Sequence, residues 1–317
     1  MRYAVSDHCD GRRFFNPGVQ TDRGLGDLFR WWRTRETTPW PATVAVAQRP
    51  APTRDAPADH VTTTLIGHST FLIQTGSIAI LTDPVFTSHA GPWGRLGPKR
   101  VRRPAHALDA LPAVDIVLVS HNHYDHLQPA SLREAEERFH PLFVTTLGNR
   151  RRLQRIGLRN VVELDWWDAT KASGAEVVCT PAQHFSARGI GDRNRTLWSG
   201  FAVTVAEKTV YFTGDTGYGP LFREIRSRLP PVDVALVPIG AYEPRWFMAP
   251  VHVNPDEAVR IHLDVGACVS IAMHFGTFKL TDEGIDDPPR RLARACEAAG
   301  LAPHAFLVPE FGVPLVT

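Results

Sequence analysis

The 317-residue sequence predicts a layered α/β fold in which several strands carry polar side chains to the same edge. The apolar run at 115–119 (DIVLV) has the length and β-branching of a buried strand. It leads directly into SHNHYDHL at 120–127. Three later β-rich runs, at 176–180, 209–213 and 268–273, are each closely followed by a histidine or an aspartate. Binding sites in open α/β sheets lie at the carboxyl ends of strands, so we expect these side chains to converge.

The SHNHYDHL segment concentrates side chains that bind metals. His121, His123, Asp125 and His126 lie within six residues, and no cysteine is among them. Imidazole and carboxylate are the ligands that zinc, iron or manganese take at hydrolytic centres. A surface loop that happens to be rich in histidine is the alternative interpretation. Fourteen histidines spread over 317 residues would rarely fall into this spacing by chance, so the segment predicts a metal site.

Composition, net charge and cysteine pattern limit the classes to which the protein can belong. Hydrophobic content of 43% and charged content of 21% are typical of a soluble globular protein. The net charge of +2 provides no general attraction to nucleic acid, so no nucleic-acid partner is expected and a nuclease is disfavoured. The four cysteines form no CxxC pair and are expected to be free thiols. Neither a secretory signal nor an apolar run of roughly 18 residues is evident, which predicts a cytoplasmic protein.

The first part of the chain, residues 1–60, is predicted to be an irregular N-terminal arm and linker ahead of one domain at 61–317. Leu25, Leu28, Phe29 and Trp32 follow the i, i+3, i+4, i+7 spacing of a short amphipathic helix with arginines off the apolar stripe. Such a helix could rest in a membrane interface. We favour the alternative, in which the arm packs onto its own domain.

The domain alternates strand and helix patterns. Residues 61–86 predict two or three short strands with a tight turn at 75–77, and residues 91–104 form a basic loop rich in glycine and proline. Further along, the pattern predicts these elements: a helix at 130–139, a strand at 142–146, a basic helix at 149–156, and strands at 161–164 and 234–239. Asn254-Pro255 is typical of a helix start.

The later strand-like runs each supply one candidate ligand: His184, Asp215 and His274. Together with the SHNHYDHL segment they make seven candidates, which is enough for two metals. Alternating side-chain directions predict that one metal is held by three histidines: His121, His123 and His184. The second metal would be held by Asp125, His126 and His274. The two carboxylate oxygens of Asp215 suit it to bridge the metals and to take part in catalysis.

Such a pair of metals points to hydrolysis. Metals roughly 3.5–4 Å apart hold and activate water and polarise the scissile group of an ester or phosphodiester. Three histidines on the first metal leave a position for water, as a catalytic site requires.

Several residues outside the ligand set are candidates for substrate contact or catalysis. His252 stands just before the helix start at Asn254 and could stabilise a pentavalent phosphorus or protonate the leaving alkoxide. His68 could contact substrate or instead hold the tautomer of a ligand histidine, and both interpretations stay open. Asp83 could accept a hydrogen bond from a ligand histidine. A rim after the strand at 234–239 supplies further substrate-binding candidates: Tyr242, Glu243 and Trp246.

The motifs resemble a known family. HNHYDH with the later His184, Asp215 and His274 is similar to the metallo-β-lactamase superfamily. More particular segments resemble its N-acyl-phosphatidylethanolamine-hydrolysing phospholipase D branch: IGHSTFLIQ (66–74), LTDPVF (81–86), PAQHFSAR (181–188), YFTGDTGY (211–218), PIGAYEPRWFM (238–248), HVNPDEAV (252–259) and HFGTF (274–278). The similarity extends from about Val61 to the C-terminus.

This resemblance implies a four-layer αβ/βα sandwich that binds two Zn²⁺ ions, or other divalent transition metals, with the ligand groups given above. It implies release of a phosphatidic acid from an N-acylated ethanolamine phospholipid, with metal-activated water attacking phosphorus. Phospholipid or another phosphodiester is then the expected substrate, and a peripheral membrane contact and a homodimer are left open. The alternatives are hydrolysis of a small soluble ester or lactone, as in sugar-phosphate lactonases, and a catalytically silent metal-binding module.

Overall fold

Two seven-stranded sheets form the framework of the protein in the computed structural model, which describes residues 3–54, 56, 59–189 and 191–317. The strands are β1 (Val5–Ser6), β2 (Cys9–Asp10), β3 (Thr62–Gly67), β4 (Thr70–Thr75), β5 (Ile78–Thr82), β6 (Ile116–Val119), β7 (Leu142–Thr146), β8 (Val161–Leu164), β9 (Ala169–Ala172), β10 (Ala175–Thr180), β11 (Gly200–Val205), β12 (Lys208–Phe212), β13 (Val234–Pro238), β14 (Val269–Met273), β15 (Phe306–Leu307) and β16 (Pro314–Val316). The α-helices are α1 (Leu25–Thr34), α2 (Pro129–Phe139), α3 (Arg150–Arg155), α4 (Leu221–Arg228), α5 (Arg245–Met248), α6 (Pro255–Val265) and α7 (Asp287–Ala298).

Both sheets are mixed. The first has the order β16-β3-β4-β5-β6-β7-β8 and is parallel from β5 to β8. The second has the order β15-β14-β13-β12-β11-β10-β9 and is parallel from β12 to β15. Strand β11 is antiparallel to both of its neighbours, so β10 runs in the same direction as β12 and β14. The carboxyl ends of β10, β12 and β14 therefore lie along one edge of the second sheet.

The central strands are apolar throughout because both of their faces are buried. In β6, Ile116 and Leu118 face the core between the two sheets, whereas Val117 and Val119 face the outer layer. Strands covered on both faces lose the polar alternation that a half-exposed strand shows. Leu132 of α2 packs in that outer layer. Helices α4, α6 and α7 pack on the second sheet, so the predicted αβ/βα sandwich is confirmed.

The predicted elements agree with the observed ones to within a residue or two at most ends. The strands at 142–146 and 161–164 have the predicted bounds. The turn at 75–77 separates β4 from β5, and Gly76 adopts a φ of 56°, which glycine tolerates without steric cost. Other ends shift because the first and last residues of an element depend on local hydrogen bonding.

Helix α1 forms as predicted, but a different face from the apolar stripe contacts the domain. Leu25 is 85% exposed, Phe29 58% and Trp32 68%. The contact is made instead by Trp31, whose indole donates to Asp282 and lies 4.9 Å from the ring of Phe247. The arm thus packs onto its own domain and leaves its apolar stripe exposed. Across the described residues, every helix is too short or too polar to cross a bilayer.

Candidate active site

The HNHYDH loop occupies the turn between β6 and α2, and it is the centre of the site. His121 is 1% exposed and His126 is fully buried. His184 follows β10, Asp215 follows β12, and His274 follows β14 directly. The shared direction of those strands brings the three side chains to the loop, so the predicted convergence is observed.

Three histidines form what we call the first group: His121, His123 and His184. His121 Nε2 lies 2.9 Å from His123 Nδ1, and His184 Nε2 lies 3.2 Å from the same atom. All three can direct a ring nitrogen to one metal ion.

A second group contains the remaining predicted ligands of the loop and the last strand: Asp125, His126 and His274. Asp125 Oδ2 lies 3.5 Å from His126 Nε2 and 3.4 Å from His274 Nε2. His68 joins this cluster, with its Nε2 3.2 Å from Asp125 Oδ2.

Asp215 lies between the two groups. Its Oδ2 is 3.1 Å from both His126 Nε2 and His274 Nε2, and 3.9 Å from His184 Nε2. Its side chain is 2% exposed. One carboxylate therefore contacts histidines of both groups, which is the position that a bridging ligand needs.

Hydrogen bonds on the outer side of the rings set the tautomers. His126 Nδ1 donates to Asp83 Oδ2 over 2.6 Å, and His184 Nδ1 donates to the carbonyl of Val251 over 2.9 Å. Ser120 donates its hydroxyl proton to Asp83, so it can accept from His121 Nδ1 at 2.9 Å. With the protons outside, the Nε2 lone pairs of these histidines point into the cluster, as metal ligation requires. The predicted contact of Asp83 with a histidine of the motif is confirmed.

Atoms inside the cluster fit a metal. Within the described residues, His126 Nε2, Asp215 Oδ1 and His274 Nε2 are buried without a hydrogen-bond partner. Buried polar atoms left unpaired cost about 1–3 kcal/mol each. Divalent cations bound by this set of nitrogen and oxygen atoms would satisfy them.

The sequence profile of the β-lactamase superfamily domain matches residues 79–275. The chain belongs to this superfamily. It is 37% identical over 262 residues to the Caenorhabditis elegans N-acyl-phosphatidylethanolamine-hydrolyzing phospholipase D 1, covering 78% of this chain and 74% of the relative. It is 34% identical over 259 residues to the mitochondrial phospholipase D of that name from Saccharomyces cerevisiae, covering 78% of this chain and 54% of the relative. Igni18, a metallo hydrolase from Ignicoccus hospitalis, has a similar fold, with a TM-score of 0.62, 23% identity, and coverage of 81% of this chain and 98% of that one.

The superfamily member described here is thus a metal-dependent hydrolase with the metallo-β-lactamase fold. Burial and charge act in opposite directions in its site. Burial lowers the pKa of His68, His184 and His252 to about 3, which keeps these imidazoles neutral near pH 7. Neighbouring carboxylates, Asp215 first, raise the pKa of His126 and His274 against burial, that of His274 to about 9. Burial alone would raise the pKa of Asp215, but His126 and His274 hold it well below its usual range.

His252 lies at the edge of the cluster. Its Nδ1 is 4.0 Å from Asp215 Oδ2 and has no hydrogen-bond partner among the described residues. The backbone positions the ring, since His252 N donates to Met248 O and Arg245 Nη1 donates to His252 O. His252 therefore lies close enough to Asp215 and His184 to hold a metal ion with them, and its unpaired Nδ1 is also free to exchange a proton with a substrate.

The predicted rim residues lie apart from the histidines. Tyr242 and Glu243 line a cleft beside α7, where Arg291 Nη1 is 3.6 Å from Glu243 Oε1. Trp246 packs under Arg30 of α1, 4.4 Å from guanidinium carbon to ring centroid. No hydrogen bond, ion pair or ring contact joins these three to the cluster within the described chain, so their substrate-binding role stays a prediction.

Two residues that hold the ligand segments in place, Asn16 and Arg188, were not predicted from the sequence. Asn16 of the arm donates to the carbonyl of His184 and accepts from its amide, at 2.8 and 3.2 Å. Arg188 Nη1 donates to the carbonyls of Asn122 and Leu127, at 2.8 and 2.6 Å, and so holds both ends of the HNHYDH loop. The only sequence signals were the FNPG turn and the end of PAQHFSAR.

Asp83→Asn is expected to weaken metal binding about 10–100-fold. The carboxylate accepts from the Ser120 amide at Oδ1 and from the Ser120 hydroxyl and His126 at Oδ2, whereas an asparagine has only one oxygen and its NH2 group would face one of these donors. Metal affinity would be measured by competition with a chelator. Asp115→Asn, at the opposite end of β6 and paired with Arg54, is the matched control. Equal affinities in the two variants would show that Asp83 does not orient the ligands.

Proposed function

We propose that the protein is a dinuclear metal hydrolase that cleaves the phosphodiester of N-acyl-phosphatidylethanolamine, releasing phosphatidic acid and an N-acylethanolamine. One observation carries the proposal: Asp215 contacts histidines of both groups in a buried site. The 37% identity to the nematode phospholipase D supports the substrate class.

In this proposal the first group would hold one Zn²⁺, the second group would hold the other, and Asp215 would be a ligand shared by both. When bound, the two metals supply an activated water and polarise the phosphoryl oxygens. The hydrogen bonds to Asp83, Ser120 and Val251 occupy the outward Nδ1 atoms, so the inward Nε2 atoms of His121, His126 and His184 would be the ones that bind metal. Because these ring nitrogens are oriented before substrate arrives, little reorganisation of the site is needed during the reaction.

His252 is the proposed general acid, and it acquires its proton during the reaction because its imidazole is neutral near pH 7. As the water oxygen bonds to phosphorus, the ring takes a proton from that water. As the bond from phosphorus to the ethanolamine oxygen breaks, the imidazolium gives the proton to the leaving oxygen. His68 has a positioning role, because it donates to Asp125 at 3.2 Å. Tyr242, Glu243 and Trp246 are retained as proposed substrate contacts.

A lipid substrate requires contact with a membrane, and we propose that α1 provides it from the cytoplasmic side. Its exposed stripe consists of Leu25, Leu28, Phe29 and Trp32. Arg30 links the helix to Trp246. Apolar side chains of this kind beside arginines suit the interface of an anionic membrane. A second copy of the chain in a homodimer is the other candidate to cover this stripe.

Asp215→Asn is expected to abolish hydrolysis while the fold is retained, since the amide loses the charge shared by both metals. Activity would be measured on N-acyl-phosphatidylethanolamine in mixed micelles, beside a bis-aryl phosphodiester and a lactone. Asp256→Asn, in the first turn of α6 with a side chain that is 49% exposed, is the control. Full activity of the Asp215 variant would refute the bridging role, and turnover of the lactone alone would refute the phospholipid as substrate.

His252→Ala is expected to lower kcat about 10²–10⁴-fold with both metals retained, as loss of a general acid does. Metal content and kcat would be measured on the same sample, with His304→Ala as an exposed control. Loss of metal along with activity would make His252 a ligand or the support of one.

Phe29→Asp with Trp32→Asp is expected to reduce sedimentation with anionic vesicles at least about tenfold, because the stripe would lose its apolar surface. Turnover of a soluble phosphodiester should not change. Leu263→Asp, which alters a 49% exposed leucine on α6, is the matched control. A change from dimer to monomer without loss of vesicle binding would instead make the stripe a subunit interface.

A further inference from the structure

A second cleft, of about 1380 Å³, adjoins the HNHYDH loop but contains none of the seven predicted metal ligands. It lies between the N-terminal arm and α3. Its lining is mainly polar and basic: Asp10, Arg12, Arg13, Asn122, Arg151, Arg152, Arg155, Asp192 and Arg195, together with Tyr3, Gly148, Ile156 and Thr196. Neither the metal chemistry nor the membrane contact uses these residues.

Positive charge is concentrated in this cleft. Six of its lining residues are arginines and two are aspartates, in a chain whose net charge is +2. The single ion pair between them joins Arg152 and Asp192 at 3.8 Å. Within the described chain, Arg12, Arg13, Arg151, Arg155 and Arg195 have no carboxylate within 4 Å. A concave surface with unpaired positive charge focuses its potential and attracts anions.

The backbone around these arginines is held in place before any ligand binds. Asp10 Oδ1 accepts from the amides of Arg12 and Arg13, both at 2.7 Å. Tyr3 donates to the carbonyl of Arg195 at 2.9 Å, and a Cβ on Gly148 would collide with the Tyr3 hydroxyl. The arm is therefore fitted closely against the domain at this cleft, which reduces the entropy cost of gathering the arginines.

Asn122 places a polar side chain beside the arginines. It lies between His121 and His123 in the sequence and lines the cleft, yet it is 1% exposed. Its backbone carbonyl accepts from Arg188, and its side-chain Oδ1 is buried without a hydrogen-bond partner among the described residues. Oδ1 is an acceptor and cannot bind an anion, so the amide hydrogens on Nδ2 are the part of this side chain that can donate to an anionic oxygen.

We propose that this cleft is a second binding site, specific for a phosphate monoester dianion. Guanidinium groups bind phosphate oxygens in pairs, and the carboxamide of Asn122 supplies a further donor. The monoester could be soluble or could be the headgroup of an anionic lipid, since both present the same chemical group. The proposal does not depend on the identity of the hydrolysed substrate, because the metal ligands and the cleft arginines are separate residues.

Titration calorimetry on the metal-loaded protein tests the site with two probes: inorganic phosphate and glycerol 3-phosphate. The cleft variant is Arg151→Gln with Arg155→Gln. The control is Arg290→Gln with Arg294→Gln, which removes the same charge from the cleft beside α7. We expect about a tenfold or greater loss of affinity in the cleft variant and less than about a twofold change in the control. Unchanged melting and metal content would show that both variants are folded.

Sedimentation with phosphatidylcholine vesicles, with and without phosphatidic acid, separates the two sources of the monoester. Loss of phosphatidic-acid-dependent binding in the cleft variant would assign the site to a lipid headgroup, whereas loss of glycerol 3-phosphate binding alone would assign it to a soluble ligand. The proposal is overturned if the unchanged protein binds no probe, if both variants lose affinity equally, or if Asp215→Asn removes the signal that the cleft variant keeps.

Discussion

The hydrogen bonds accepted by Asp83 are the interaction on which the site depends. Asp83 is fully buried at the end of β5, with a φ of 31°, and its carboxylate accepts from the Ser120 amide, the Ser120 hydroxyl and His126. Burial raises the pKa of Asp83, against the opposing effect of His126 and Ser120. These three hydrogen bonds join the end of β5 to the start of the HNHYDH loop and determine which ring nitrogens face inward.

The inward-facing nitrogen and oxygen atoms of the site are suited to bind cations. Oxygen and nitrogen atoms of Asp215, His126 and His274 approach each other to 3.1 Å in a space from which water is largely excluded. Asp215 and Asp125 raise the pKa of His126 and His274 against burial, so these buried rings favour positive charge beside the carboxylates, and a metal cation can supply that charge. The protein therefore maintains a polar arrangement whose stability rises when metal binds, which couples metal affinity to folding.

The N-terminal arm takes part in the site from a distance in sequence. Asn16 holds the backbone of His184, Trp31 contacts Asp282, and Arg12 and Arg13 reach the basic cleft. The same arm supports the segment of His184 on one side and exposes the apolar stripe of α1 on another.

The sequence by itself determined the local features. Spacing within HNHYDH indicated a metal site, periodicity located most strands and helices, and strand-ending residues picked out His184, Asp215 and His274, because these patterns depend on nearest neighbours along the chain. The sequence also suggested Asp215 as the bridge, and the tertiary structure added that its Oδ2 lies 3.1 Å from His126 and His274. Only the tertiary structure decided that Trp31 rather than the stripe at Leu28 and Phe29 docks α1, and that Tyr242 faces another cleft. Those outcomes depend on how distant elements pack, and the direction of a side chain in a loop or on an exposed helix is set by contacts that residue spacing does not encode.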